Sequence, residues 1–272
     1  MMAIICRILS YPFMTNALVV GTIVSLCASM LGASLVPKRY SMIGDGLSHV
    51  GFAAVAVAYA LDMTPLTVAM PVCMVTAFLL LRIHESSKVK GDAAIAVVCS
   101  AALAIGVMTV SLTTGMNTDV NSYLFGSILA MSKDDVRLSV ALGLVVMVVY
   151  LLFYNRFFSL TFDEEFTRAT DGHAETYKTV LALLTAAIVV LGMRMMGALL
   201  ISSLIVIPTL SAMRACRRFS MVVTLGAVVS VVCFMAGVTA SFALSVPTGA
   251  CVVLVDLAAF CLLSLISKVM RR

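Results

Sequence analysis

The sequence predicts an all-α membrane protein, a polytopic helical bundle of about 8–9 transmembrane helices with one short re-entrant segment. Three observations predict it. Of 272 residues, 62% are hydrophobic and only 11% charged, whereas a soluble domain carries roughly 25% charged residues. Apolar runs of about 18–23 residues recur along the chain, each long enough to cross ~30 Å of hydrocarbon. The runs do not alternate apolar and polar residues, which excludes a β-barrel.

Nine apolar segments follow one another: 16–36, 44–61, 64–81, 92–114, 136–155, 179–193, 195–213, 220–242 and 247–267. Short connections join them, so residues 1–272 read as a single transmembrane domain. Residues 1–15, with Pro12 and no small-residue cleavage site, read as an N-terminal interfacial segment. Lys and Arg cluster at 38–39, 82–90, 156–168, 214–218 and 268–272, which marks those connections as cytoplasmic. The turns near Asp62, Gly115–Asn121 and Ser245–Pro247 carry neither. The alternation closes only if "YLFGSILAM", residues 123–131, dips in and returns, which puts the N-terminus outside and the C-terminus in the cytoplasm.

The net charge of +5 is carried by these loops, so it marks topology and not nucleic-acid binding. The eight cysteines form no C-x-x-C pair and read as small core hydrophobes. "GHAETYKT", residues 172–179, ends like a phosphate-binding loop, but Tyr177 stands where the pattern needs its second glycine. Any ATP chemistry must come from another chain.

Three stretches carry chemistry. In "YSMIGDGLSHVGFAAVAVAYAL", residues 40–61, Asp45 and His49 lie one helical turn apart on one face. A helix continuing from Arg39 places His49 roughly 15 Å along its axis, about half the hydrocarbon thickness. Imidazole and carboxylate together suit zinc or manganese better than potassium or calcium. One Asp and one His cannot complete a tetrahedral shell, whereas two copies on a two-fold axis could offer two of each. The alternative is a structural pair hydrogen-bonded to neighbouring helices.

The second stretch is "TFDEEFTRATDGHAE", residues 161–175, the longest polar connection. Asp163, Glu164 and Glu165 crowd the front of a short helix, where the dipole favours negative charge. Arg168 lies further along, Gly172 can close the helix, and Phe162 and Phe166, four apart, give it an apolar stripe. It reads as a docking helix for a cytoplasmic partner, or else as a solvated loop. In the third, "MRMMGALLISSLIVIPTLSAMRACRR", residues 193–218, Gly197, Ala198, Ser202 and Ser203 permit close helix packing and Pro208 can kink the backbone.

These stretches, with "DVNSYLFGSILAMSKDDV" and "SVPTGACVVL", resemble the permease subunit of bacterial ABC-type zinc and manganese importers, the ZnuB-like family, from about Lys38 to the C-terminus. The resemblance implies an inner-membrane bundle that pairs with a second permease copy, binds two cytoplasmic ABC ATPase subunits and receives metal from an extracytoplasmic binding protein. It implies no resident cofactor and no catalysis by this chain: Zn²⁺, ahead of Mn²⁺ or Fe²⁺, is the substrate. By position, Asp45 and His49 match the family's acid–histidine pair in the translocation path, and residues 163–172 match the loop that contacts the ATPase. Asp256 departs from the family, where a small or apolar residue is expected. It must face the bundle interior or the dimer axis, as an accessory ligand, a partner for a basic residue such as Arg194, or a hydrogen-bonded structural group. A rival class is a secondary transporter that relays protons through Asp45, His49 or Asp256 without an ATPase. A third is a purely structural membrane subunit.

Overall fold

The computed structural model describes residues 12–86, 91–113 and 133–270. Within them the chain is helical almost throughout: α1 Pro12–Leu35, α2 Ile43–Ala60, α3 Pro65–Ser86, α4 Gly91–Leu112, α5 Lys133–Leu152, α6 Tyr154–Phe162, α7 Glu164–Asp171, α8 Ala174–Met196, α9 Ala198–Ala215, α10 Phe219–Leu244 and α11 Thr248–Met270. The nine predicted apolar segments are helical in the described residues, but 136–155 breaks at Phe153 and 195–213 begins across the break at Gly197. Seven helices are long and apolar enough to cross a membrane, and an eighth span arises if α5 and α6, bent by 67° at Phe153, count as one. The apolar part of α3, Pro65–Leu81, is shorter. Helix α1 already begins at Pro12, inside the stretch expected at the interface. The expected re-entrant segment 123–131 lies outside the described residues.

Lipid tails solvate an apolar helix as well as another helix does, so association needs close backbone approach and interhelical hydrogen bonds. Helix α1 supplies both. A Cβ on Gly32 would stand 2.0 Å from the Ile205 carbonyl oxygen of α9. Ser230 of α10 donates to the Ser25 carbonyl (2.9 Å), Thr209 of α9 to the Ser29 carbonyl (3.2 Å), and Ser34 meets the Tyr150 hydroxyl of α5 (2.9 Å). Pro208 lies buried within α9, which continues past it to Ala215. The outer helices α4 and α11 instead present Val97, Met108, Leu112, Leu254, Leu262 and Val269 outward.

Contacts gather the basic turns at one end of the bundle. Lys38, in the α1–α2 turn, pairs with Glu164 of α7. Phe219, at the start of α10, packs on Phe158 and Phe162 of α6. Ser267 of α11 donates to the Arg214 carbonyl. Helix α4 runs alongside α2, Gly46 facing Ile95 and Phe52 facing Gly106, while Gly143 and Tyr150 of α5 lie beside Ile23 and Ser34 of α1. Leu112 and Lys133 therefore both lie away from the α1–α2 turn.

Because the atom opposite Gly32 is backbone, it cannot rotate aside. Gly32→Ala is expected to cost about 1–3 kcal/mol through overpacking, read as a lower melting temperature in detergent. An unchanged melting temperature would show that α1 and α9 separate freely.

Candidate functional site

Helix α2 does not continue from Arg39. Residues 36–42 form a turn, with Arg39 in the left-handed region (φ 63°) and its N–H on the Val36 carbonyl. The helix starts at Ile43 without a side-chain cap. Asp45 therefore sits in the first helical turn, facing the positive end of the dipole. His49 is six residues in, about 9 Å along the axis, not the roughly 15 Å counted for a helix continuous from Arg39.

The one-turn spacing holds. His49 Nε2 stands 3.8 Å from Asp45 Oδ1, too far for a hydrogen bond. Ser202 Oγ of α9 lies 3.4 Å from the same oxygen and also 3.1 Å from the Ala198 carbonyl, so its one hydrogen has two acceptors. Gly44 allows this approach: its Cβ would lie 3.0 Å from Ile205 Cδ1 and 4.0 Å from Ser202 Cα. The Asp45 side chain is 40% exposed and that of His49 21%. His49 Nδ1 is buried without a hydrogen-bond partner. A tetrahedral ion bound at ordinary zinc distances holds its nitrogen and oxygen ligands about 3.4 Å apart, so the observed gap needs to close only slightly to grip one. Among the described residues no three His, Cys, Asp or Glu side chains gather into a metal cluster. Ser202 was expected only to permit packing. Its contact with Asp45, 157 residues away, has no local sequence signal.

Asp256 is buried in α11, as expected, but neither carboxylate oxygen accepts a hydrogen bond, from Arg194 or any other described residue. The Cys233 thiol of α10 is its polar neighbour. One turn away, Gly237 lets α10 approach so closely that a Cβ there would lie 2.5 Å from Val252 Cα. No Arg194 pairing forms, and close packing of the two helices leaves only the weak thiol donor of Cys233 beside the carboxylate.

The 161–175 stretch takes in the end of α6, all of α7 and the start of α8. Asp163 adopts extended backbone (φ −147°, ψ 88°), and its Oδ1 accepts the Phe166 N–H at 2.8 Å, which caps α7. Gly172, at φ 61°, closes it. Phe162 ends α6 and Phe166 lies in α7, so they form no stripe on one helix: the cap separates them. Both are exposed, at 62% and 59%. Arg168 bridges Glu164 (3.0 Å) and Glu175 (2.6 Å). Glu164 turns inward to Lys38 and Lys178, each at 2.6 Å, so the lysine of the "YKT" ending is an ion-pair partner within α8. Gly197 was expected to pack inside a helix and instead separates α8 from α9, at φ 90° and ψ 157°, a conformation that requires glycine.

Residues 10–268 match the profile of the family described as ABC 3 transport family. The manganese transport system membrane protein MntC of Halalkalibacterium halodurans is 27% identical over 256 residues, covering 94% of this chain and 88% of that protein. The high-affinity zinc uptake system membrane protein ZnuB of Haemophilus influenzae is 26% identical over 232 residues, covering 85% and 88%. The solved structure of PsaBC from Streptococcus pneumoniae in complex with Fab superposes with a TM-score of 0.86 at 23% identity, covering 97% of this chain and 95% of that one.

An unpartnered buried carboxyl costs about 1–3 kcal/mol. Asp256→Leu should therefore raise the melting temperature of the detergent-solubilised protein. A fall instead would mean that Asp256 holds a partner in the assembled protein.

Proposed function

The chain belongs to the ABC 3 transport family, and on that premise we propose that it is the membrane permease of an ATP-driven importer of a divalent transition metal, zinc ahead of manganese. The observation that carries this reading is the Asp45–His49 pair, one nitrogen and one oxygen donor 3.8 Å apart on a half-exposed helix face. That donor set suits zinc and manganese alike, and relatives named for each metal are similar to this chain. The nitrogen–oxygen gap of 3.8 Å lies nearer the wide spacing of tetrahedral zinc ligands than the closer spacing of neighbouring octahedral ligands. One chain offers two donors, so a second copy on a two-fold axis completes four.

The bundle end that carries the basic turns is the cytoplasmic one by the positive-inside rule. On this reading α1 enters from outside and α11 ends inside a bacterial inner membrane. There α7 and the exposed Phe162 and Phe166 form the docking face for a cytoplasmic ATPase, one per permease copy, while an extracytoplasmic binding protein delivers metal to the opposite face. The chain itself breaks and forms no covalent bond.

Three measurements test this. Asp45→Ala and His49→Ala should each cut ATP-driven zinc uptake in proteoliposomes by more than the ~10–100-fold typical of losing a group that only orients a ligand, with assembly intact. Wild-type uptake by both variants would sink the metal pathway. Phe166→Asp should weaken co-purification of the ATPase by placing a charge in an apolar contact without changing the melting temperature. Undiminished association would remove α7 from the docking face. Uptake by this chain alone, without an ATPase, would support a proton-coupled transporter instead.

A further inference from the structure

Glu164 is one carboxylate shared by cations from three parts of the fold. Oε2 takes Lys38 of the α1–α2 turn at 2.6 Å, and Oε1 takes Lys178 of α8 at 2.6 Å and Arg168 of α7 at 3.0 Å. The clasp is largely removed from water: the side chains of Lys178, Lys38 and Glu164 are 5%, 10% and 24% exposed. Behind the two lysines lies a narrow cavity walled mainly by Leu35, Ile43, Ala77, Leu81, Leu160 and Leu181, with Tyr40 and Thr185 its other polar side chains, so it offers an ammonium group no second carboxylate. Separating Lys38 from Glu164 therefore strands charge in apolar surroundings, and such contacts resist partial opening.

The turn that carries Lys38 is stiff. Arg39 N–H meets the Val36 carbonyl, Tyr40 N–H the Leu35 carbonyl and Ile43 N–H the Tyr40 carbonyl, all within 3.0–3.1 Å. The Tyr40 ring, 4% exposed, lies 5.9 Å from Lys38 Nζ. Burial, with the nearby Glu164 and Glu175 carboxylates, pushes its phenol up to about 12, so it stays neutral and adds no competing charge. Asp45 follows as the third residue of α2, and the Gly46 N–H is tied back to the Met42 carbonyl at 3.0 Å. A displacement of Lys38 thus reaches Asp45 through one short hydrogen-bonded turn.

We propose that Glu164 is a positioning residue, whose clasp on Lys38 and Lys178 passes movement of α7 to the α1–α2 turn and so sets Asp45 relative to its metal. This rests on the reading of α7 as the ATPase-facing helix. It separates two roles within α7: Phe166 faces outward to the partner, and Glu164 faces inward to the helices that carry the metal donors.

The test counts zinc ions taken up per ATP hydrolysed by the full chain with its ATPase and binding protein in proteoliposomes. Lys38→Met and Glu164→Gln should each lower that ratio about tenfold, within the range of ordinary coupling between sites, whereas Lys38→Arg, which keeps the charge, should hold it near wild type. Where Glu164→Gln fails to assemble, Lys38→Met carries the test, because Lys178 and Arg168 still neutralise Glu164. A lower melting temperature with an unchanged ratio would make the clasp merely structural and overturn the proposal. A wild-type complex that takes up zinc with ATP while Lys38→Met does so at the same ratio overturns this inference alone. A wild-type complex with no ATP-driven uptake of zinc or manganese overturns the importer reading and this inference with it.

Discussion

Hydrocarbon gives a stray polar group no partner and gives one helix no reason to prefer another over lipid. Everything in this bundle follows from that constraint. Helices cohere only where backbones come close enough for dispersion and side-chain-to-carbonyl hydrogen bonds to outweigh lipid contact. The absent Cβ of Gly32 brings α9 to within contact of α1, and that of Gly237 does the same for α10 and α11. Ser29 then offers its carbonyl to Thr209 across the α1–α9 gap that Gly32 creates, and Ser25 offers its carbonyl to Ser230 of α10. A larger residue at Gly32 would move the Thr209 hydroxyl out of reach, so packing and hydrogen bonding between α1 and α9 are a single device.

The same constraint sorts the charged groups. Glu164 and its cations gather at the end where the polar turns meet, each charge answered by another. Asp45 and His49 lie further in and are only loosely paired. Asp256 has only the Cys233 thiol beside it. An ionisable group left under-satisfied in apolar surroundings persists against a cost, and the two sets differ in what could offset it. The Asp45 face is open and can receive a cation or a second chain. Asp256 is closed between helices, which argues for packing history and not for traffic.

The helices were legible because apolar runs at this length have one physical solution. Asp163 and Gly172 were legible as the ends of α7 because caps are written in adjacent residues. Three features were not. Glu164 finds Lys38 at a separation of 126 residues, which no local pattern encodes. Phe162 and Phe166 share a helical spacing, but the cap at Asp163 interrupts the helix between them. Gly197 looks like any small residue in a packed helix until the backbone shows its positive φ. The Asp45–His49 spacing survived into the structure because i and i+4 stay neighbours wherever the helix begins. Their depth did not, since it depended on the start at Ile43.

A site that moves an ion across a membrane must bind it well enough to admit it and loosely enough to release it. A full tetrahedral cage within one rigid chain holds zinc as a structural element. If two copies share the shell as proposed, two donors per chain avoid that trap, because a shift of one copy against the other would dismantle it. The start of α2 supplies the complementary half of the requirement. Asp45 lies in the first helical turn, where the dipole partly compensates a carboxylate before any cation arrives, and the Ser202 hydroxyl can turn toward it or toward the Ala198 carbonyl. The Asp45–His49 pair is thus neither a bare charge in hydrocarbon nor a completed cage. A donor pair intended only to hold helices together would close its own hydrogen bond, and at 3.8 Å this one does not.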